Sequence, residues 1–198
     1  MIAHEHSPDP HHDTYSKTLF GFWLYILTDF MLFAALFATY AVLGKSTFGG
    51  PAAKDLFHLS YAMIQTLILL ATSLTSGLAS AYAHRKQISS TIFYFVLTFV
   101  LGCLFLILQI DDFRTLIVAG HGWNQSAFLS TFYTLVGTHT LHIVIGLIWT
   151  PLILILLYRD GFNSTSLRRI ACLKMFWQFL TLIWIFIFTI VYLLGGVL

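Results

Sequence analysis

The residues best placed to do chemistry are two histidines in the middle of a long apolar stretch. His139 and His142 lie within residues 126–158, a stretch long enough to cross a bilayer as one helix. Their spacing of three puts both imidazoles on one face of that helix. Gly137 and Gly146 flank them, and we expect both glycines to let a neighbouring helix approach closely. Because an ionisable side chain in hydrocarbon is costly, we predict that this face contacts protein or a cavity.

Two imidazoles on one helix face restrict the metal chemistry that is open to the chain. A bis-histidine haem needs its ligands on opposite sides of the macrocycle, which this pair cannot supply. His58, His84 and His121 fall at helix ends or in loops, so no third ligand for copper or zinc lies at the same depth. Cys103 and Cys172 are interpreted as small apolar residues in separate helices. We therefore predict no metal site, no cofactor site and no catalytic residue in this chain.

Other polar side chains also interrupt the apolar stretches. Asp29 follows Thr28 inside the first stretch, and Gln65 is the one long polar residue in the body of the second. A carboxyl hydrogen-bonded to a neighbouring helix is the interpretation we favour for Asp29, with a part in proton or water handling as the alternative. Asp111 and Asp112 mark a predicted helix exit and are interpreted as a solvated helix end. The last apolar stretch adds three candidates for polar or interfacial contacts: Trp177, Gln178 and Thr181.

The composition defines the class of protein. Of the 198 residues, 58% are hydrophobic and 9% are charged, whereas soluble domains carry roughly 25% charged residues. The apolar runs are continuous, unlike the short alternating segments of a membrane β-barrel. The sequence therefore predicts an all-α polytopic membrane protein, a bundle of five transmembrane helices at residues 19–42, 56–83, 91–110, 126–158 and 171–197.

Small residues and a proline indicate how these helices pack. Thr72, Ser76 and Ser80 repeat at every fourth position of the second helix, as do Ser73, Gly77 and Ala81, which predicts burial against partners on more than one side. Pro151 is expected to bend the far end of the fourth helix. Residues 114–125 and 159–169 are predicted to be loops.

The chain divides into a tail and a membrane domain. Residues 1–18 are rich in histidine and contain two prolines, and we predict a disordered tail, with metal binding as the alternative. Residues 19–198 form the five-helix domain. Seven lysines and arginines fall on the side of the N-terminus and three on the opposite side. This asymmetry predicts a cytoplasmic N-terminus and an external C-terminus.

Four passages resemble a known family. They are FGFWLYILTDFMLFAALFATYAVL at residues 20–43, GGPAAKDLF at 49–57, FLSTFYTLVGTHTLHIVIGLIW at 128–149 and FWQFLTLIWIFIFTIVYLLG at 176–195. The chain resembles subunit III of the haem–copper oxidases over essentially its whole length after the tail. The G-T-H-x-L-H block, which contains His139 and His142, is the most specific of these motifs. Five spans favour the quinol branch, the bacterial bo-type (cytochrome o) ubiquinol oxidases.

The resemblance implies a non-catalytic subunit of a proton-pumping terminal oxidase in the bacterial inner membrane. In that family oxygen reduction and quinol oxidation belong to the complex, and the haems and copper are expected in subunit I. Subunits I, II and IV, phospholipid, and ubiquinol as substrate of the complex are the implied partners, and no nucleic acid is expected. Subunit III of a cytochrome c oxidase is the alternative within the family. From a different class, a small free-standing transporter is the remaining alternative.

The resemblance also assigns structural or contact roles residue by residue. Asp29, His139 and His142 match family positions, and Gln109 with Asp112 fits its Q-x-x-E-like helix exit. The chain departs from the family at three positions, because uncharged residues stand where the family often has a glutamate, a histidine and an aspartate. We predict that these three residues form one polar cluster that lost its charges together: Gln65, Gln178 and Thr181.

Overall fold

The computed structural model describes residues 10–44 and 59–195, with side chains from residue 16 onward. Five helices run through this part of the chain, each long and apolar enough to cross a membrane. They are α1 (Pro10–Leu43), α2 (Leu59–His84), α3 (Ile88–Val118), α4 (Ala127–Asp160) and α5 (Ser164–Ile187), the last continued by a π-helical segment (Phe188–Leu194). The predicted five-helix, all-α fold class is confirmed.

Several predicted helix boundaries are wrong, and backbone geometry explains why. The third helix does not end at Asp111 and Asp112 but continues to Val118. Charged side chains do not interrupt backbone hydrogen bonding, whereas Gly120 does, because its φ of 85° is left-handed. The amides of Gly120 and His121 then bond back to the carbonyls of Ile117 and Leu116, which closes the helix in a Schellman motif.

The last helix begins earlier than predicted. Ser164 is its first residue, so Arg168 and Arg169 are helical and the predicted loop 159–169 shrinks to a three-residue connection at 161–163. At the other end of the chain α1 begins at Pro10, so its first turns lie within the predicted tail. Residues 1–9 and the GGPAAKDLF passage lie outside the described residues. The fourth helix continues through Pro151 to Asp160.

Helix α5 lies at the centre of the packing. It contacts α1, α2 and α4, and α3 completes the bundle by packing on α2 and α4. In the most apolar 18-residue stretch of each helix, 50% of the residues are buried for α5 and 17% for α1. The largest fully buried side chains include Trp177, Trp184, Phe33 and Phe105. These rings come from three helices, so the aromatic residues fill the space between helices as well as facing lipid.

Small residues allow a close approach between helices at fewer places than predicted. Gly102 and Gly146 lie against α5, and a Cβ at Gly102 would stand 2.8 Å from the Trp177 ring. Among the described residues, however, no heavy atom lies within 4 Å of a Cβ built at Gly137 or Gly77, so the close approach expected at Gly137 does not occur between the described helices. In α2 the row Thr72, Ser76 and Ser80 is buried, while Ala81 of the second row is exposed.

Candidate functional site

His139 joins α4 to α5 in the middle of the bundle. Its imidazole is fully buried, and Nε2 lies 3.0 Å from the backbone carbonyl oxygen of Leu180. A carbonyl oxygen only accepts hydrogen bonds, so Nε2 carries the proton and donates it. The rings of Phe33, Phe105 and Trp184 surround the imidazole with centroid separations of 6.4, 5.9 and 5.3 Å. This histidine therefore serves as a polar contact between two helices inside an aromatic cage.

His142 faces a different helix. Its Nδ1 donates to the Thr138 carbonyl oxygen of its own helix at 2.8 Å, which turns Nε2 towards α1. There Nε2 lies 3.7 Å from Oδ2 of Asp29, and both side chains are largely buried. The phenol of Tyr25, one turn earlier on α1, interacts with the same carboxyl. The protein contact predicted for the histidine face is thus present, with Asp29 as the partner of His142.

The two imidazoles therefore diverge, one towards α5 and one towards α1, with the Phe33 ring packed against both. Across residues 10–44 and 59–195, no three His, Cys, Asp or Glu side chains come together as a group that could hold a metal ion. The expectation of no cofactor in this chain remains a prediction. What the described geometry does provide is a set of polar contacts that connect α1, α4 and α5 at one depth.

A second set of polar contacts connects α5 to α2 and α4. The Trp184 indole donates to the Thr66 hydroxyl at 3.0 Å, and the Trp177 indole donates to the Thr150 hydroxyl at 3.2 Å. The Thr181 hydroxyl lies 3.3 Å from the Leu69 carbonyl oxygen of α2 and 3.0 Å from the Trp177 carbonyl oxygen of its own helix. Indoles are buried readily when their N–H has such a partner.

The predicted cluster of Gln65, Gln178 and Thr181 is not formed. Thr181 does reach α2, and Gln65 is fully buried in that helix. Gln178, however, is exposed and lines an apolar groove of about 280 Å³ between α1 and α5, beside Trp23 and Phe30. The reason is angular: three helical positions rotate a side chain by about 60°, enough to carry Gln178 from the α2 side of α5 to its α1 side.

The polar residues at the end of α3 form a third group. Asp111 is exposed and accepts a bond from the Tyr61 hydroxyl at 3.4 Å, whereas Asp112 is half-buried. Asp112 and Gln109 both interact with the buried phenol of Tyr192. Of the predicted solvated helix end, only the exposure of Asp111 is found, since Asp112 turns into the bundle and α3 continues past both residues to Val118.

Some contact residues could not be found from the sequence. Thr66, Thr150 and Phe105 complete the central contacts, yet single threonines and phenylalanines are common in membrane helices and carry no distinguishing pattern. The direction of the Tyr192 side chain depends on the π-helical segment, because a π-helical turn rotates the residues in it relative to a regular α-helix. A weak signal existed only for Trp184, which follows Thr181 at close spacing on α5.

Comparison with known proteins identifies the family. The profile of the family described as cytochrome c oxidase subunit III matches residues 2–196 of the chain. This chain belongs to the cytochrome c oxidase subunit III family. The structure shows the helix contacts that the two histidines of the G-T-H-x-L-H block make.

Members of the subunit III family from both oxidase branches are similar to the chain. A cytochrome bo(3) ubiquinol oxidase subunit 3 of Pseudomonas aeruginosa is 46% identical over 98% of this chain and 94% of its own length. A cytochrome c oxidase subunit 3 of Bacillus sp. is 40% identical over 89% and 86%, respectively. A quinol oxidase subunit 3 of Bacillus subtilis is 36% identical over 92% and 90%.

Proposed function

We propose that this chain is subunit III of a bo-type ubiquinol oxidase in a bacterial inner membrane and has no catalytic site of its own. The observation that carries the proposal is the 46% identity to the Pseudomonas aeruginosa ubiquinol oxidase subunit over nearly the whole of both chains. In this proposal the chain packs against subunit I, which holds the haems and copper, and assembles with subunits II and IV. The complex would oxidise ubiquinol, reduce oxygen to water and pump protons.

The polar contacts support a bracing role for this subunit. His139 uses Nε2 to hold α5, and His142 uses Nδ1 within its own helix and faces Asp29 with Nε2. Three of the four imidazole nitrogens thus face protein groups, and the surrounding rings fill the space that a substrate would need. Such a layer maintains the relation of α1, α4 and α5, and a rigid subunit is suited to stabilise a catalytic neighbour.

Purification through a tag on this chain tests the proposal. After mild-detergent extraction, we expect larger subunits and a haem spectrum in the reduced-minus-oxidised difference, together with ubiquinol-driven oxygen uptake. Oxygen uptake driven only by cytochrome c would instead assign the other branch, for which the Bacillus sp. relative is the supporting observation. A colourless single band, both in detergent and in native lipid discs, would contradict an oxidase role and favour a free-standing transporter.

Bound phospholipid is part of the proposal, and two neighbouring cavities support it. A pocket of about 380 Å³ between α1, α4 and α5 is lined by Arg168, Arg169, Thr18 and Thr165 near the start of α5. The apolar groove at Gln178 follows the same α1–α5 seam. Guanidinium groups at one end of an apolar groove suit an anionic headgroup with its acyl chain.

Lipid analysis of the purified complex would check this part independently. Replacing Arg168 and Arg169 with glutamine should lower the co-purifying anionic phospholipid, because the headgroup loses its charged partners. Arg159→Gln is the matched control, since the Arg159 side chain is 81% exposed and pairs with Asp160. Equal phospholipid content in all three preparations would contradict the assignment of this pocket.

A further inference from the structure

Two glutamine amides are completely buried and lack well-formed hydrogen bonds to the described residues. Gln65 of α2 and Gln109 of α3 have no exposed surface, and among the described residues no polar atom meets the geometry of a hydrogen bond to either amide, although the Tyr192 phenol lies close enough to Gln109 to interact with it. Buried polar groups in native proteins are almost always paired with protein or with ordered water. Two unpaired amides on adjacent helices therefore indicate a ligand that can both donate and accept.

The two amides lie beside the same contact between α2 and α3. The Tyr61 hydroxyl of α2 donates to the Leu108 carbonyl oxygen of α3 at 3.1 Å. Gln65 follows Tyr61 by four positions and so lies on the same face of α2, one turn deeper. Gln109 directly follows Leu108 on α3. The Tyr61 contact therefore lies at the level of Gln109, and Gln65 lies one turn deeper in the bundle.

An open pocket lies on the outer side of Tyr61. It has a volume of about 560 Å³ and is lined by Tyr61, Ser60, Asp111, Asp112 and Thr115, among others, where α2 begins and α3 approaches its end. Carboxylates and hydroxyls form hydrogen bonds with water, so the lining of this pocket is suited to bind it. Its position at the helix ends places the mouth near the membrane surface, opposite the α2–α3 turn.

Tyr192 connects the pocket to the amides. Its phenol interacts with both Asp112, which lines the pocket, and Gln109, which does not. Tyr192 belongs to the π-helical segment, and π-helical turns are frequently found at functional sites. The Asp112 carboxyl and the Tyr192 phenol are therefore the polar groups that relate the pocket to Gln109.

Beyond Gln65 the bundle is closed. One position further along α2, the Thr66 hydroxyl is occupied by the Trp184 indole, and the Trp184 and Phe105 rings pack edge to face at a centroid separation of 4.8 Å. Both rings are fully buried. A chain of polar contacts entering from the pocket would have to end at this aromatic pair.

We propose that water enters the bundle through the Asp111–Asp112 pocket and forms an ordered chain that hydrogen-bonds Gln109 and then Gln65. Water is the ligand that fits, because each amide needs donors and acceptors and a buried water makes about three hydrogen bonds. The water chain ends inside the bundle, since the rings of Trp184 and Phe105 close the space beyond Gln65. The space around the amides is a binding site for water within this subunit and does not depend on the oxidase branch.

An electron cryo-microscopy map of the whole complex, at a resolution that shows internal water, tests this directly. We expect density within hydrogen-bond distance of the Gln109 and Gln65 amides, continuous with the pocket and absent beyond Trp184. Amides paired with each other or with protein groups would overturn the proposal. So would empty space around the amides in a map that shows water elsewhere in the bundle.

Hydroxyl-radical labelling by X-ray pulses gives a second measurement on the complex. Radicals form from water in place, so the buried Tyr192 should be labelled well above the buried and intrinsically more reactive Trp177. Gln109→Leu should lower labelling of Tyr192 several-fold, because it removes a group that holds the water. Ile107→Leu is the control, since Ile107 is 64% exposed on the outer face of α3. Labelling of Tyr192 no higher than that of Trp177 in the native complex would overturn the proposal.

Discussion

At the scale of single residues, the bundle uses polar side chains as specific contacts between helices. His139, His142 and Asp29 each reach a neighbouring element, and the indoles of Trp177 and Trp184 each find a threonine hydroxyl. In hydrocarbon, apolar side chains discriminate little between helix and lipid, so such contacts select one arrangement. The sequence analysis singled out these histidines and Asp29, because ionisable residues are rare in membrane helices.

Gln65→Glu should destabilise the subunit. The site is fully buried, and a carboxylate there would lose most of its solvation, at a cost of about 3 kcal/mol by the scale for charges at the centre of a membrane helix. A few ordered waters would replace only part of that solvation. We expect less subunit III in the purified complex and a lower melting temperature.

The matched control for this variant is Gln87→Glu, because Gln87 is exposed in the turn before α3. The control should assemble and melt like the parent protein. A Gln65→Glu complex with an unchanged melting temperature would show that this buried site tolerates a charged side chain, and it would contradict the predicted loss of stability.

Asp29 and His142 should be energetically coupled. Oδ2 and Nε2 are 3.7 Å apart in a largely buried setting, so Asp29→Asn and His142→Gln should not be additive. Contacting polar pairs show coupling energies of roughly 0.5–3 kcal/mol. The measurement is a double-mutant cycle on thermal stability of the complex.

A second cycle supplies the reference for that coupling. Asp29→Asn combined with Thr75→Val should be additive, because the Thr75 hydroxyl bonds to Thr98 on the separate α2–α3 seam. Equal coupling in both cycles would mean that the Asp29–His142 contact has no specific energetic role.

At the scale of helices, packing depends on where a side chain is missing. Gly102 of α3 allows the Trp177 ring and Leu147 to meet beside it, and Gly146 of α4 does the same for Phe176. Gly137 and Gly77 are also helical glycines, but no described residue has a heavy atom within 4 Å of their Cβ positions. The pattern of small residues thus identifies candidate contacts without saying which of them a neighbour occupies.

Gly102→Ala should therefore destabilise the bundle, while Gly137→Ala should not. The new Cβ at Gly102 would lie 2.8 Å from Trp177 and 2.9 Å from Leu147. Overpacking of this kind costs about 1–3 kcal/mol. Gly137→Ala adds a methyl group in open space and gains helix propensity, so its melting temperature should stay level or rise. Thermal unfolding of the two variants side by side decides this, and an equal loss of stability would contradict the packing described for Gly102.

At the scale of the whole molecule, α5 is the centre and α1 the periphery. Helix α1 contacts α4 and α5 and leaves most of its apolar side chains exposed, which suits contact with lipid or with another subunit. The orientation of this bundle in the membrane follows from charge rather than from packing, because the positive-inside rule acts on the loops and helix ends.

Reporter fusions should place the N-terminus in the cytoplasm and the C-terminus outside. Seven lysines and arginines lie on the N-terminal side against three on the other. Alkaline phosphatase fused after Leu198 should be active, and green fluorescent protein fused there should be dark. Fusions truncated after Gln87, in the α2–α3 turn, should show the opposite pattern. Active phosphatase at the turn would show that the protein has the opposite orientation.

The sequence by itself determined the class and the number of helices, because the cost of exposing polar groups to hydrocarbon makes membrane helices apolar along their whole length. It also predicted that the face of His139 and His142 contacts protein. Only the tertiary structure decided which partner each imidazole takes, that Gln178 turns away from Gln65, and that Asp112 turns inward while Asp111 does not. These outcomes depend on the rotation of one helix against another, and a rotation of one residue position, 100°, changes the neighbour of every side chain.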